Sequence, residues 1–166
     1  MDKNNNIGPA ISELEISINF KLAMESQRKR HHKIIHDEGA EFNEVYNVML
    51  KDSYMQPHLH PGKNKIENIY VLQGKLALIF FNNLGEIDRV KKIFSGNNNY
   101  IKIPAFTWHT YVMLTERVLT FETMMGKFDQ KDWKTLAEWA PIENTQESKS
   151  YIKHLKNICR SPDKYL

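Results

Sequence analysis

Short apolar runs separated by turn residues fill the middle of the chain, from residue 42 to residue 124. Valine, isoleucine, phenylalanine and tyrosine are common in these runs, and strands favour these residues. Glycine, asparagine and proline mark the turns, for example at Pro61-Gly62 and Gly74. The pattern predicts eight strands, over 43–51, 54–60, 66–73, 75–81, 87–94, 100–103, 108–114 and 117–124. Short strands at this spacing are typical of a sandwich or a closed barrel, and not of alternating strands and helices.

The two flanks of this region have a helical periodicity. Apolar residues at intervals of three and four predict a helix over 11–25, with Ile11, Leu14, Ile18 and Leu22 on one side. A strand is the alternative, because isoleucines at 16 and 18 also alternate. The pattern over 148–160 predicts a terminal helix that packs on the strand region. Residues 127–144, called the wrap below, are predicted to form a loop and a helical turn around that region.

The length of 166 residues fits one domain of ordinary size. We therefore expect a mainly β protein in three parts. A helical or extended segment over 1–40 packs on a barrel over 41–126, and a wrap and a helix over 127–166 complete the chain.

Composition narrows the possible functions. A single cysteine, Cys159, excludes an internal disulfide and a cysteine-based zinc site. The net charge of +3 is a weak excess, and nucleic acid binding would need a concentrated basic face, so we expect no nucleic acid partner. The sequence has no long apolar stretch and no signal-peptide pattern, so we expect a cytoplasmic protein without a membrane partner.

The candidate chemistry lies in His58 and His60, which are separated by one residue inside a predicted strand. Alternate residues of a strand share a face, so the two imidazoles project side by side. Glu67 opens the next predicted strand, and His109 follows a turn much later. Each residue alone has an ordinary explanation as a surface or core side chain. Together they form a nitrogen and oxygen set that suits one divalent ion, whether zinc, manganese, iron, cobalt or nickel.

The order of these residues resembles the cupin superfamily, whose first motif contains His-x-His, a Glu and a Gly. Four residues match this motif, with the Glu-to-Gly spacing unchanged: His58, His60, Glu67 and Gly74. Asp52 replaces the first glycine of the motif, and six residues separate His60 from Glu67 where three or four are usual. The second motif places a histidine five residues after a proline, as Pro104 and His109 do. The resemblance implies a double-stranded β-barrel, or jelly roll, with short helices at both ends.

A larger set of motifs, over about residues 20–144, resembles the WbuC family of cupin-fold metalloproteins, which is found among bacterial surface-polysaccharide genes. The matching residues are Arg28-x-Arg30, His36, Ser53-Tyr54, Pro57-His58-x-His60-Pro61, Val71-Leu72-x-Gly74-Lys75, Ile103-Pro104, Trp108-His109-Thr110, Phe121-Glu122, Gly126 and Trp139-Ala140-Pro141. His32, Ile34 and Phe128 depart from the family pattern. The resemblance implies a small-molecule substrate from sugar metabolism. Cupins often form homodimers, so we expect this protein to form a homodimer.

Three further kinds of residue are candidates for the site. Arg28 and Arg30 lie in a basic run that is either a solvated surface or a clamp for an anionic group, because guanidinium groups suit phosphate and carboxylate. His36 is either a core histidine or a further group near the metal. Glu122 could act as a general base, or orient a ligand imidazole, if its strand turns it inward.

Fold and metal alone do not select a function. The first hypothesis is an enzyme, isomerase- or epimerase-like, that acts on a sugar or nucleotide-sugar intermediate of surface-polysaccharide synthesis. The second is a metal-dependent module that binds a small molecule without turnover. The third is an iron-dependent dioxygenase.

Overall fold

A computed structural model describes residues 11–160, and the outer parts of the predicted terminal segments, 1–10 and 161–166, lie outside the described residues. The described chain forms two helices and ten strands. Their bounds are α1 Glu13–Glu25, β1 Arg30–Ile34, β2 Phe42–Leu50, β3 His58–Leu59, β4 Glu67–Gln73, β5 Lys75–Phe81, β6 Ile87–Phe94, β7 Tyr100–Ile103, β8 Trp108–Met113, β9 Arg117–Met125, β10 Thr135–Leu136 and α2 Gln146–Arg160.

The strands form two antiparallel sheets of five strands each. The first sheet has the order β1-β2-β9-β4-β7, and the second has the order β10-β3-β8-β5-β6. Apolar residues from both sheets form one core between them, with Ile69 and Val71 of β4 packed near Leu78 of β5 and Met113 of β8. This architecture confirms the predicted cupin-type double-stranded β-barrel with a helix near each end.

Each helix covers the outer face of one sheet. Phe20 and Ala23 of α1 pack against Tyr46 and Phe121 on the first sheet. Ile152 and Leu155 of α2 pack in a cluster that includes Val112 on the second sheet. Among the described residues, neither helix combines the length and the apolar character needed to cross a membrane.

The helix predicted over 11–25 is confirmed, but three of the four side chains on its predicted apolar side face outward. Leu14 is 71% exposed, and Ile18 and Leu22 are also exposed. The helix has apolar residues on more than one side, so their periodicity does not decide which side packs. The aromatic ring of Phe20 decides it, because that ring reaches the aromatic residues of the first sheet.

Two strand predictions need correction. The strand predicted over 54–60 is reduced to β3, His58–Leu59, because Pro57 lacks an N–H for a sheet ladder. The side chain of Gln56, which precedes Pro57, bonds outside the strand, because its Nε2 donates to Ala137 O at 2.9 Å. The basic run around Arg30 forms the edge strand β1, which its charged composition concealed.

Residues 127–144 contain turns and the short strand β10, and the helical turn predicted there does not form a helix. β10 pairs with β3, so that Thr135 lies opposite Leu59 and Leu136 lies opposite His58. The wrap therefore extends the second sheet next to the strand that carries the predicted metal ligands.

Candidate metal centre

Three histidines meet at one end of the second sheet. His58 of β3 lies directly opposite His109 of β8 in the sheet register, and His60 follows β3 by one residue. One ring nitrogen from each histidine lies within 4.8 Å of the corresponding nitrogens of the other two. All three residues are buried. The structure thus brings together the three histidines that the sequence proposed as ligands, in a group that can hold a metal ion.

The second ring nitrogen of each histidine is fixed by a backbone carbonyl. Nδ1 of His58 contacts Gln56 O at 3.1 Å, and Nδ1 of His109 contacts Thr107 O at 2.9 Å. Nδ1 of His60 contacts the carbonyl of Trp133 at 2.7 Å. A carbonyl only accepts, so each Nδ1 carries the proton and each Nε2 presents a lone pair. This is the arrangement found around histidines that bind metals.

The ring of His58 is neutral at pH 7. Burial is the main cause, and the neighbouring His109 adds to it, so that the pKa of His58 lies well below its ordinary value. Neutral imidazole is the form that binds a metal ion. Because burial keeps the ring neutral, a metal ion can bind His58 without displacing a proton.

Glu67 reaches the same point from the first sheet. Its Oε2 lies 3.1 Å from His109 Nε2 and 3.5 Å from His60 Nε2. Its Oε1 accepts a hydrogen bond from the Tyr111 hydroxyl at 2.6 Å, inside the barrel. The sequence proposed Glu67 as the fourth ligand, and the structure places its free oxygen beside two of the three histidines.

Buried polar atoms without hydrogen bonds mark the centre of the group. They are Nε2 of His60, Nε2 of His109 and Oε2 of Glu67. Buried polar groups are costly when they lack partners. Two lone pairs and a carboxylate oxygen that converge in this way fit a cation, and the mixed donor set fits the predicted divalent metals without selecting one.

Glu122 also faces the barrel interior. It lies opposite Ile69 in the register of β4 with β9, and paired residues share a face. Its carboxylate accepts a hydrogen bond from Thr120 Oγ1 at 3.0 Å. Burial, and then the charge of Glu67, raise the pKa of Glu122 to about 8. Glu122 is therefore largely protonated at neutral pH and can donate a hydrogen bond within the barrel interior.

The two arginines of the basic run contact Glu143. Arg30 is buried, and its NH2 group donates to both oxygens of Glu143, at 2.6 and 2.8 Å. Its NH1 group donates to Tyr54 O at 2.7 Å. Arg28 is more exposed and donates from Nε to Glu143 at 3.1 Å. The structure thus gives both guanidinium groups a carboxylate partner from the wrap.

His36 lies next to β2. Its Nδ1 contacts the backbone nitrogen and oxygen of Glu44, each at 3.0 Å. This contact fixes the chain between β1 and β2. The contact gives His36 a structural partner in the backbone.

Sequence reasoning missed four residues around the site: Tyr111, Trp133, Lys134 and Glu143. Tyr111 follows His109 by two residues and so shares its face, which strand alternation alone could have revealed. The other three belong to the wrap, whose position depends on tertiary packing and has no periodic signal.

The comparisons with known proteins concern the fold. The profile of a family described as "Domain of unknown function (DUF6016)" matches residues 12–93. No protein of curated function matches the sequence. The solved structures that resemble it include protein SO0799 from Shewanella oneidensis, with a TM-score of 0.53 and 11% identity, which covers 81% of this chain and 87% of that chain.

Two further solved structures match a smaller part of the chain. The capsular polysaccharide assembling protein CapF from Staphylococcus aureus has a TM-score of 0.51 and 17% identity over 65% of this chain and 33% of CapF. Peruvianin-I, a cysteine peptidase from Thevetia peruviana latex, has a TM-score of 0.50 and 14% identity over 64% of this chain and 66% of that chain. At these identities the likeness concerns the fold alone.

Proposed function

We propose that this protein is a cytoplasmic metal-dependent cupin enzyme that acts on a sugar or nucleotide-sugar intermediate of bacterial surface-polysaccharide synthesis. The observation that carries the metal-dependent part is the convergence of three buried histidines whose Nδ1 atoms are each fixed by a carbonyl. The resemblance to the WbuC family supports the sugar substrate. CapF, whose fold is similar, is a capsular polysaccharide assembling protein, which agrees with this substrate class.

His58, His60, His109 and Glu67 would hold the ion. A bound divalent ion would polarise a carbonyl or hydroxyl oxygen of the substrate. Tyr111 orients Glu67 through the hydrogen bond to Oε1. Glu122 faces the same interior as a neutral carboxyl group, so it can give a proton to the substrate or return one. These roles suit an isomerase- or epimerase-like reaction, in which a proton moves next to a polarised oxygen.

An acidic group on the substrate would be recognised at the mouth of the barrel. We propose that Arg28 and Arg30 contribute to this recognition. Arg28 donates to Glu143 from Nε and is the more exposed of the two arginines, whereas Arg30 holds Glu143 in place. A double change of both arginines to Ala should weaken binding of a nucleotide sugar and leave the metal content unchanged.

Metal analysis of the purified protein tests the proposal first. Mass spectrometry of metals should find close to one equivalent of a divalent ion in the wild type. The double variant His58→Ala with His60→Ala should contain almost none. His154→Ala is a matched control, because His154 is an exposed histidine of α2. Stoichiometric metal in the double variant would contradict the site.

A panel of nucleotide sugars tests the reaction. We expect at least one of them to raise the melting temperature of the metal-loaded protein and to give a new product, followed by proton NMR. Stabilisation without turnover across the panel would contradict an enzyme and indicate a binding module. Consumption of oxygen by the iron-loaded protein would instead indicate an oxygenase.

A further inference from the structure

Lys134 begins the short segment that lies against the metal ligands. Lys134 directly precedes β10, in which Thr135 lies opposite Leu59 and Leu136 lies opposite His58. The residue before Lys134 supplies the carbonyl that fixes His60 Nδ1. The backbone on both sides of Lys134 therefore contacts the segment that carries His58 and His60.

The backbone around Lys134 is held on both sides. Trp133 packs near the His60 ring, with ring centroids 6.0 Å apart, and the Lys65 ammonium lies 5.1 Å from the Trp133 ring. Ala137 N donates to Pro57 O at 2.8 Å. A backbone fixed in this way limits the positions that the Lys134 side chain can reach, which favours recognition of a ligand group.

The groups around Lys134 come from both walls of the barrel. Its charge acts on His58 from the second sheet and on Glu122 from the first. The charges of Arg30, Glu143, Arg28 and Glu67 in turn act on Lys134. Lys134 is half-buried. Charged groups from both sheets and from the segment over 127–144 therefore lie within electrostatic reach of its ammonium group.

The ammonium group of Lys134 has no close carboxylate. Among the described residues, Glu143 pairs with Arg28 and Arg30, and Glu67 lies beside His60 and His109. None of the ion pairs in this part of the chain includes Lys134. Burial is the main cause that lowers the pKa of Lys134, and the nearby arginines add to it. A half-buried cation that is not neutralised by the protein is suited to an anion from outside.

We propose that Lys134 binds an acidic group, a carboxylate or a phosphate, of the small molecule that occupies the metal centre. The inference deepens the proposed function and rests on it for the metal, but the contact of Lys134 with an anion can be measured by itself. Arg30 cannot take this role as easily, since its NH1 and NH2 groups already donate to Tyr54 O and Glu143.

Inorganic phosphate is the probe, and isothermal titration measures its binding to the metal-loaded and the metal-free protein. Lys134→Met keeps the length of the side chain and removes the charge. It should lower the phosphate affinity of the metal-loaded protein at least about tenfold, the smaller end of the loss expected for one charged hydrogen bond. Lys134→Arg should retain most of the affinity. The metal content should stay at the wild-type value in both variants.

Two controls separate a local contact from general charge. Lys131→Met removes an exposed lysine of the same segment, and its phosphate affinity should equal that of the wild type. Imidazole binds a metal ion without a negative charge, so its affinity should be equal in the wild type and in Lys134→Met. Equal phosphate affinity in the wild type and Lys134→Met would overturn the inference, and so would a wild type that binds no phosphate.

Failure of the proposed function has a different signature. If the wild type contains no metal but binds phosphate in a way that depends on Lys134, the metal centre is refuted and the anion contact stands. If metal is stoichiometric and phosphate binding is indifferent to Lys134, the metal centre stands and the anion contact is refuted.

Discussion

Tyr111→Phe is the most informative single change at the metal centre, because it removes one oxygen atom and keeps the ring. The Tyr111 hydroxyl donates to Glu67 Oε1 at 2.6 Å, and both side chains are buried. Loss of the hydroxyl leaves that carboxylate oxygen without its donor. Glu67 can then rotate away from the position that brings Oε2 near His60 and His109.

The magnitude follows from the type of hydrogen bond. A hydrogen bond to a charged group contributes about 1.5–3 kcal/mol. If Glu67 is the fourth ligand, part or all of this energy supports the metal-bound state, and we expect the metal affinity to fall roughly 10- to 100-fold. The metal-free protein should lose about 1–3 kcal/mol of unfolding free energy for the same buried contact.

The affinity of the variant can be measured by competition between the protein and a chromophoric chelator for zinc or cobalt. Tyr54→Phe is a matched control, because the Tyr54 hydroxyl donates to the Pro141 carbonyl at 2.8 Å, on the outer side of the second sheet. It should cost about 1 kcal/mol in urea denaturation and leave the metal affinity unchanged. Equal metal affinity in the wild type and Tyr111→Phe would refute Glu67 as a ligand positioned by Tyr111.

Three further predictions concern stability and assembly. Gly74→Ala should destabilise the protein by more than about 2 kcal/mol in urea denaturation, because Gly74 has φ +86° and a Cβ there would lie 2.3 Å from Arg117 O. Gly96→Ala is the control and should cost less, because Gly96 has φ +111° but open space around it. Equal losses of stability in the two variants would contradict the clash at Gly74. The raised pKa of Glu122 means that the folded metal-free protein holds a proton which the unfolded chain releases above about pH 4.5, so its stability should fall between about pH 4.5 and 8. Glu122→Gln should flatten this part of the stability profile, and an unchanged slope would count against a buried neutral carboxyl. The cupin resemblance predicts a homodimer, so light scattering at micromolar concentration should give about twice the 19.6 kDa chain mass, and a monomer would contradict it.

The strands of the barrel could be predicted because their signal is local. Apolar runs bounded by turn residues placed β5, β6 and β7 at 75–81, 87–94 and 100–103, the bounds that the structure has. β1 was missed, since Arg30, His31, His32 and Lys33 give no apolar alternation. Edge strands often carry charges that prevent pairing with other molecules, so their composition hides them.

The candidate site was predictable to the extent that its residues repeat a spacing. His58 and His60 alternate on one strand, and a family motif led to Glu67 and His109. The residues of the wrap could not be found in this way. Trp133 acts through its backbone carbonyl, which every residue type has, and Lys134 lies between Trp133 and the strand β10 that pairs with β3. No pattern of side chains along the chain records those contacts.

The carbonyl of Trp133 that holds His60 belongs to a residue 73 positions later in the chain. This separation has a consequence for the order of events during synthesis. His58 and His60 are synthesised before His109 and well before the carbonyl that fixes the tautomer of His60. An ion captured at that stage would meet two imidazoles whose orientation is not yet fixed. The geometry that His60 offers to an ion is complete only when the Trp133 carbonyl has reached its Nδ1.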